Sequence, residues 1–361
     1  MVQEAGRKIR NTTHTMKKLF FIALLFAASI MGISAQVNRP QTPQGPFPYN
    51  TEEVTFQNGE FTFHGTLSMP KNCTAKTPVV LFVTGSGQQD RDEMLFEHRP
   101  LAVIADALAR NGIASLRYDD RGYGDSSVPF YNFNTHDFKD DAAAGLSFLR
   151  KRFKKVGIIG HSEGGTIALM LAAEGKPDYI VSLAGMAVSG KETLLWQNRL
   201  LFEASGIPQE TVEQILVVVG NIYDKVVLDE QESIDYSLAP EALRPALRQS
   251  IKQLSTPYMK HLITVDVRPQ LSQIKCPVLA LNGTKDTQVN CQSNLEAIDK
   301  GITAPHQVVA MEGLNHLFQH CTIGSFVEYQ QIEETFDPET IQKIIKWIKA
   351  KKKKKLRIVK L

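Results

Sequence analysis

Ser162 sits at the centre of Gly160-His161-Ser162-Glu163-Gly164, a G-x-S-x-G pentapeptide. An apolar run (Val-Gly-Ile-Ile, 156–159) precedes it, and a small-residue run (Thr-Ile-Ala-Leu-Met-Leu-Ala-Ala, 166–173) follows. The first reads as a buried strand and the second as a helix. A strand that turns sharply into a helix crowds its own backbone, and flanking glycines relieve the crowding around a strained serine. Such a turn lifts the hydroxyl above the sheet edge, at a helix N-terminus, where developing negative charge is favoured. The chemistry this suits is nucleophilic attack by the Ser162 oxygen.

A serine hydroxyl is a weak nucleophile until a base takes its proton and a carboxylate orients that base. After a strand–serine–helix turn, the expected chain order is Ser, then Asp or Glu, then His, each beyond the C-terminal end of a strand. Asp286 follows the apolar run 278–282 through Gly283-Thr284-Lys285, and His316 follows the run 306–311 through Glu312-Gly313-Leu314-Asn315. Other candidates fit less well. Asp224, Asp229 and Asp266 fall in or beside a helical insertion, and Asp299 lies on the helix after the Asp286 loop. His98, His136 and His261 precede the right region or lie in the insertion, His306 begins its strand, and His320 lies one turn past His316. His161 is expected to face away along the elbow.

A tetrahedral oxyanion needs donors waiting where charge develops. The backbone N–H of Glu163, the residue after the nucleophile, is one candidate. The second is expected from Thr84-Gly85-Ser86-Gly87, with the Ser86 N–H as the choice and Gly87 as the alternative. The Glu163 side chain reads either as a polar pocket group or as a first-turn helix carboxylate. The cluster Gln88-Gln89-Asp90-Arg91-Asp92 reads as part of the acyl pocket or as a brace. The charges of Asp119-Asp120-Arg121-Gly122-Tyr123-Gly124-Asp125-Ser126 are expected to pin that loop.

These residues need a scaffold, and strands alternate with helices to supply it. Residues 54–68 alternate apolar and polar around Asn58-Gly59, a hairpin signature. Strands are then expected at 79–83, 113–117, 156–159, 179–183, 278–282 and 306–311. Helices are expected at 101–111, 138–150, 166–173 and 338–349. Ile341, Ile344, Ile345 and Ile348 form one apolar face of the last helix. This rhythm predicts an α/β fold with a mostly parallel sheet covered on both faces. Between 190 and 268 the chain reads as helices alone, at 194–204, 208–224, 233–238 and 240–254. An inserted helical cap at 191–268 is therefore expected within a core of 36–190 and 269–350, shaping the pocket and excluding water.

The chain has 361 residues, 43% hydrophobic and 22% charged, enough for a large core. From Met16 it runs Lys17-Lys18, a short apolar stretch, then Ser34-Ala35 before Gln36. A basic start, an apolar centre and a small residue at the end describe a secretory signal peptide. Residues 1–35 therefore read as an upstream extension plus signal peptide, with Met16 as true start and export to the periplasm or exterior of a bacterium. The net charge of +3 conceals an acidic body, since between 36 and 342 there are 26 Lys/Arg against 37 Asp/Glu. The basic tail at 351–361 is read as a solvated terminus, with contact to an anionic membrane surface as the alternative. Basic residues are not interleaved with aromatics as in a nucleic-acid module. Cys73, Cys276, Cys291 and Cys321 match no zinc spacing. Cys291 and Cys321 each follow a catalytic-loop candidate by five residues, which leaves a bridge between them open.

Taken together, the stretches 84–92, 119–126 and 160–165 resemble the α/β-hydrolase superfamily over about residues 50–350. They look most like its secreted or periplasmic EstD-type carboxylesterases and serine-aminopeptidase-like hydrolases. The resemblance implies a triad of Ser162, His316 and Asp286, activity on short-chain acyl esters, and neither metal nor organic cofactor; the expected export adds a saccharide-linked ester to small-molecule esters as a candidate substrate. The chain departs from longer EstD-type enzymes in having only a brief lead-in before the core. Two alternatives stay open: a serine aminopeptidase or dipeptide-releasing peptidase using acidic groups to hold a substrate amine, and a non-catalytic binding protein on the same fold.

Overall fold

The computed structural model describes residues 39–350; the expected signal peptide and basic tail lie outside them. Eight strands form one sheet: β1 (Tyr49–Asn58), β2 (Phe61–Pro70), β3 (Val79–Val83), β4 (Ala114–Tyr118), β5 (Val156–His161), β6 (Ile180–Leu183), β7 (Val278–Gly283) and β8 (His306–Met311). Their spatial order is β1-β2-β4-β3-β5-β6-β7-β8. The β1–β2 hairpin turns at Asn58-Gly59 as its sequence predicts, and β2 pairs antiparallel with β4. From β4 to β8 every pairing is parallel.

The central strands are apolar on both sides because helices cover both faces. Side chains alternate across the sheet, so Leu81 and Val83 join one apolar cluster while Val80 and Phe82 join the other. The first face is covered by α2 (Thr135–Arg150), α3 (Glu163–Ala173) and α9 (Cys291–Gly301). The second is covered by α1 (Pro100–Arg110) and α10 (Pro338–Ala350). In α10 the predicted face of Ile341, Ile344, Ile345 and Ile348 is buried, and such side chains contribute roughly 1.5–3 kcal/mol each. Helix α2 begins three residues before its expected start, where Asn134 and Asp137 make a reciprocal capping box.

Between β6 and β7 the chain is helical: α4 (Gly190–Ala204), α5 (Gln209–Val227), α6 (Arg244–Leu254), α7 (Pro257–Thr264) and the short α8 (Arg268–Leu271). Phe202, Ile215, Val219, Tyr223 and Leu247 give most of this segment its own apolar cluster. Two details differ from the sequence expectation. Residues 233–238 are not a helix; a 3-10 turn at Gln231–Ser233 ends there, and the Asp235 carboxylate takes both the N–H and the hydroxyl of Ser237. That local bond competes with helical pairing. Helix α7 was not anticipated, although Thr256 caps it and Pro257 opens it.

Candidate active site

The glycines around Ser162 answer to contact as much as to flexibility. A Cβ on Gly160 would lie 2.0 Å from the Gly164 carbonyl oxygen, and one on Gly164 would lie 2.2 Å from the Val83 oxygen. Only bare backbone lets α3 start this close to β3 and β5. Ser162 itself has φ 52° and ψ −120°, a conformation L-residues rarely adopt. Its N–H donates to the Leu183 carbonyl, and its own carbonyl accepts from Gly165 and Thr166. The strained residue is thus pinned on both sides, at the N-terminus of α3.

Asp286 lies beyond the end of β7 and His316 beyond the end of β8, and the structure brings them together. His316 Nδ1 is 2.7 Å from Asp286 Oδ2, with both side chains buried. The other carboxylate oxygen accepts the backbone N–H groups of Gln288 and Val289 at 2.7 and 2.9 Å. A carboxylate held from three directions fixes the imidazole with its proton on Nδ1, leaving Nε2 as the basic nitrogen. The His316 loop is tied by the Asn315 side chain, which accepts from the amides of Leu317 and Gln319. Ser162 and His316 line the same cavity, of about 400 Å³.

The loop after β3 closes on this cavity. A Cβ on Gly85 would sit 3.2 Å from that of Ser162. The Gly85 amide donates to Glu93 Oε1 at 2.6 Å, and the Gly87 amide faces the Tyr258 hydroxyl. Of the three amides, Ser86's alone has no protein acceptor among the described residues.

Two readings change, and one residue is new. His161 does not face away: it lines the cavity, its ring centroid 4.8 Å from that of His316. Glu163 is more than a first-turn carboxylate. It is 2% exposed and accepts from Thr135 Oγ1 at 2.7 Å and from the Tyr258 hydroxyl of α7 at 2.5 Å. Burial raises its pKa against the hydrogen bonds of Tyr258, Thr135 and Ser86. Glu93, which sequence reasoning passed over, is buried at the cavity wall against His161. No local motif marks it, because its partner lies 68 residues away.

The two charged loops brace each other. Arg91 pairs with Asp119, and Asp120 accepts from the Thr84 hydroxyl and the Gln89 amide. Arg121 pairs with Asp141 while its guanidinium lies over Phe61 and Phe133. The remaining Asp and His candidates are engaged elsewhere: Asp224 with Lys191, Asp229 with Lys260, Asp266 with Arg268, Asp299 with His306, His98 with Thr335 and the Tyr329 carbonyl, and His136 against His261. All four cysteines are free, and the Cys291 and Cys321 thiols face the backbone oxygens of Asn282 and Gly313. Among the described residues, His320, Glu334 and Asp337 group metal-type ligand atoms within 4.8 Å. Glu334 already meets His320, and Asp337 caps α10 through Thr340.

The doubly covered parallel sheet and the serine elbow define an α/β hydrolase, and this chain belongs to the alpha/beta hydrolase fold family, which matches residues 78–320. It is similar to esterase EstD of Thermotoga maritima, 24% identical over 309 residues that cover 83% of this chain and 69% of that protein. It is also similar to the human serine hydrolase BPHL, 27% identical over 227 residues, 61% of this chain and 68% of that one. In fold it resembles the Pyrococcus furiosus esterase Pf2001 at TM-score 0.51 and 15% identity, covering 88% of this chain and 98% of that one. The proline iminopeptidase of Mycobacterium smegmatis is equally near, with TM-score 0.51, 15% identity, and 83% and 99% covered.

Proposed function

We propose that this chain is an exported serine carboxylesterase that cleaves short-chain carboxylic esters through an acyl-enzyme. The observation that carries the reading is the 2.7 Å Asp286–His316 bond on the cavity that Ser162 also lines. Ser162 Oγ attacks the ester carbonyl while His316 Nε2 takes its proton. The amides of Ser86 and Glu163 receive the oxyanion. His316 then protonates the departing alcohol, and water repeats the cycle to release the acid. Asp286 holds the tautomer and stabilises the charged imidazole.

Ester rather than peptide cleavage is favoured by the charge of the cavity. An aminopeptidase needs an acid free to hold the substrate amine. Glu163 is sealed by Tyr258 and Thr135, no carboxylate of α4–α8 lines the cavity, and Glu93 is engaged with His161. Likeness to the Thermotoga esterase points the same way. p-Nitrophenyl acetate against amino-acid p-nitroanilides tests the choice. Ester turnover with little anilide cleavage is expected; anilide cleavage as fast as ester cleavage would make the protein a peptidase. Export is supported by the basic, apolar and small-residue pattern from Met16 to Ala35. A secreted product beginning at Gln36 is expected on N-terminal sequencing, and retention of residues 16–35 would contradict it.

A further inference from the structure

We propose that Glu93 and His161 form a positioning pair that holds three loops in mutual register: the oxyanion loop, the serine elbow and the loop bearing His316. The proposal rests on the esterase reading of Ser162, Asp286 and His316. Glu93 lies in a stretch where it, Phe96 and Glu97 all adopt positive φ, at 54°, 49° and 64°. Non-glycine residues avoid this conformation, and here it accompanies a carboxyl group buried at the cavity wall.

Glu93 Oε1 accepts the Gly85 amide at 2.6 Å and meets His161 Nδ1 at 2.9 Å. On the far side of the ring, His161 Nε2 is 3.0 Å from the His316 carbonyl oxygen. A carbonyl oxygen can only accept, so Nε2 carries a hydrogen. Nδ1 and Glu93 then share one proton, as imidazolium with carboxylate or as neutral ring with carboxylic acid. In either state the line from Gly85 N–H through Glu93 and His161 to His316 C=O is continuous. Its stations adjoin the working groups: Gly85 precedes the Ser86 amide, His161 precedes Ser162, and His316 is the base.

Stability alone is a poor reason for this arrangement. A buried acid–base pair rarely repays its desolvation, and Glu93 Oε2 is buried with no partner among the described residues. Neither residue is placed to touch the reacting atoms as nucleophile, base or oxyanion donor. Their effect is exerted through Gly85 and His316, where small displacements of a reacting group are costly.

The test compares wild type, Glu93→Gln, His161→Gln and the double variant in p-nitrophenyl acetate hydrolysis. Each single variant is expected to lose about ten- to a hundredfold in kcat with KM nearly constant, as misplacement of catalytic groups predicts. The double variant should be no worse than the poorer single, because both break one line. Near-wild-type kcat in both single variants, or losses that multiply in the double, would overturn the pair. If the variants do not fold, histidine nitrogen NMR of the intact wild type decides: His161 Nε2 should be protonated throughout, and a bare Nε2 overturns the proposal. Wild type without Ser162-dependent turnover would instead sink the esterase reading, so the two failures are distinguishable.

Discussion

His161 is the residue whose surroundings make the sharpest statement about pH. Burial opposes its protonation, but the Glu93 charge, the bond to Glu93 and the His316 carbonyl outweigh burial and raise its pKa. A raised value means that the folded protein binds the proton more tightly than the unfolded chain. The stabilisation is fully present below the ordinary imidazole value, about 6.5, and is lost as pH rises through the folded value. Thermal unfolding of wild type and His161→Gln across this range should show their difference in Tm shrinking as pH rises. A constant difference would contradict the linkage. The places of Asp286 and His316 beyond β7 and β8 were legible in the sequence, because strands followed by short loops mark them. Glu93 and the orientation of His161 were not, because their bond joins distant segments through a loop of positive φ that no residue pattern spells.

At the scale of elements, α7 joins the helical segment to the core that holds the sheet. Its Tyr258 reaches Glu163, the first residue of α3, while Gly190, opening α4, packs so closely on α7 that a Cβ would lie 1.6 Å from the Leu262 oxygen. Tyr258→Phe removes one of the donors to a buried carboxylate. A hydrogen bond to a charged group contributes about 1.5–3 kcal/mol, so a loss of that order in urea unfolding is expected. It should shrink in a Glu163→Gln background, whose neutral amide oxygen accepts more weakly, and equal loss in both backgrounds would show that the carboxylate's charge does not strengthen the bond. The strands and long helices were readable because periods of 2 and 3.6 are imposed by burial. Helix α7 was missed although Thr256-Pro257 is a start signal, because its apolar positions face both the core and the α4–α6 cluster. Residues 233–238 were overread because their composition says nothing of the Asp235 side chain turning back on Ser237.

For the molecule as a whole, the lining of the cavity bears on which substrates the proposed esterase takes. Its wall carries amides, hydroxyls and apolar groups such as Asn198, Gln197, Tyr223, Met186, Leu194 and Leu262, and among the described residues no lysine or arginine and Glu93 as its one acid. A site so lined offers the carboxylate of an acyl chain no lysine or arginine to pair with. Neutral p-nitrophenyl esters should therefore surpass the hemisuccinate of similar size at least about tenfold in kcat/KM, which is 1.4 kcal/mol of discrimination. Equal rates would place the acyl group outside this cavity. No helix among the described residues is long and apolar enough to cross a membrane.

The central claim is that Ser162 is an activated nucleophile. Its most direct test is labelling of the purified chain by a fluorophosphonate, with Ser162→Ala beside it and p-nitrophenyl acetate turnover measured on both. Labelling and turnover in the wild type, both abolished in the variant, are the predicted result. Labelling that survives in Ser162→Ala, or wild type inert to both reagents, would contradict it.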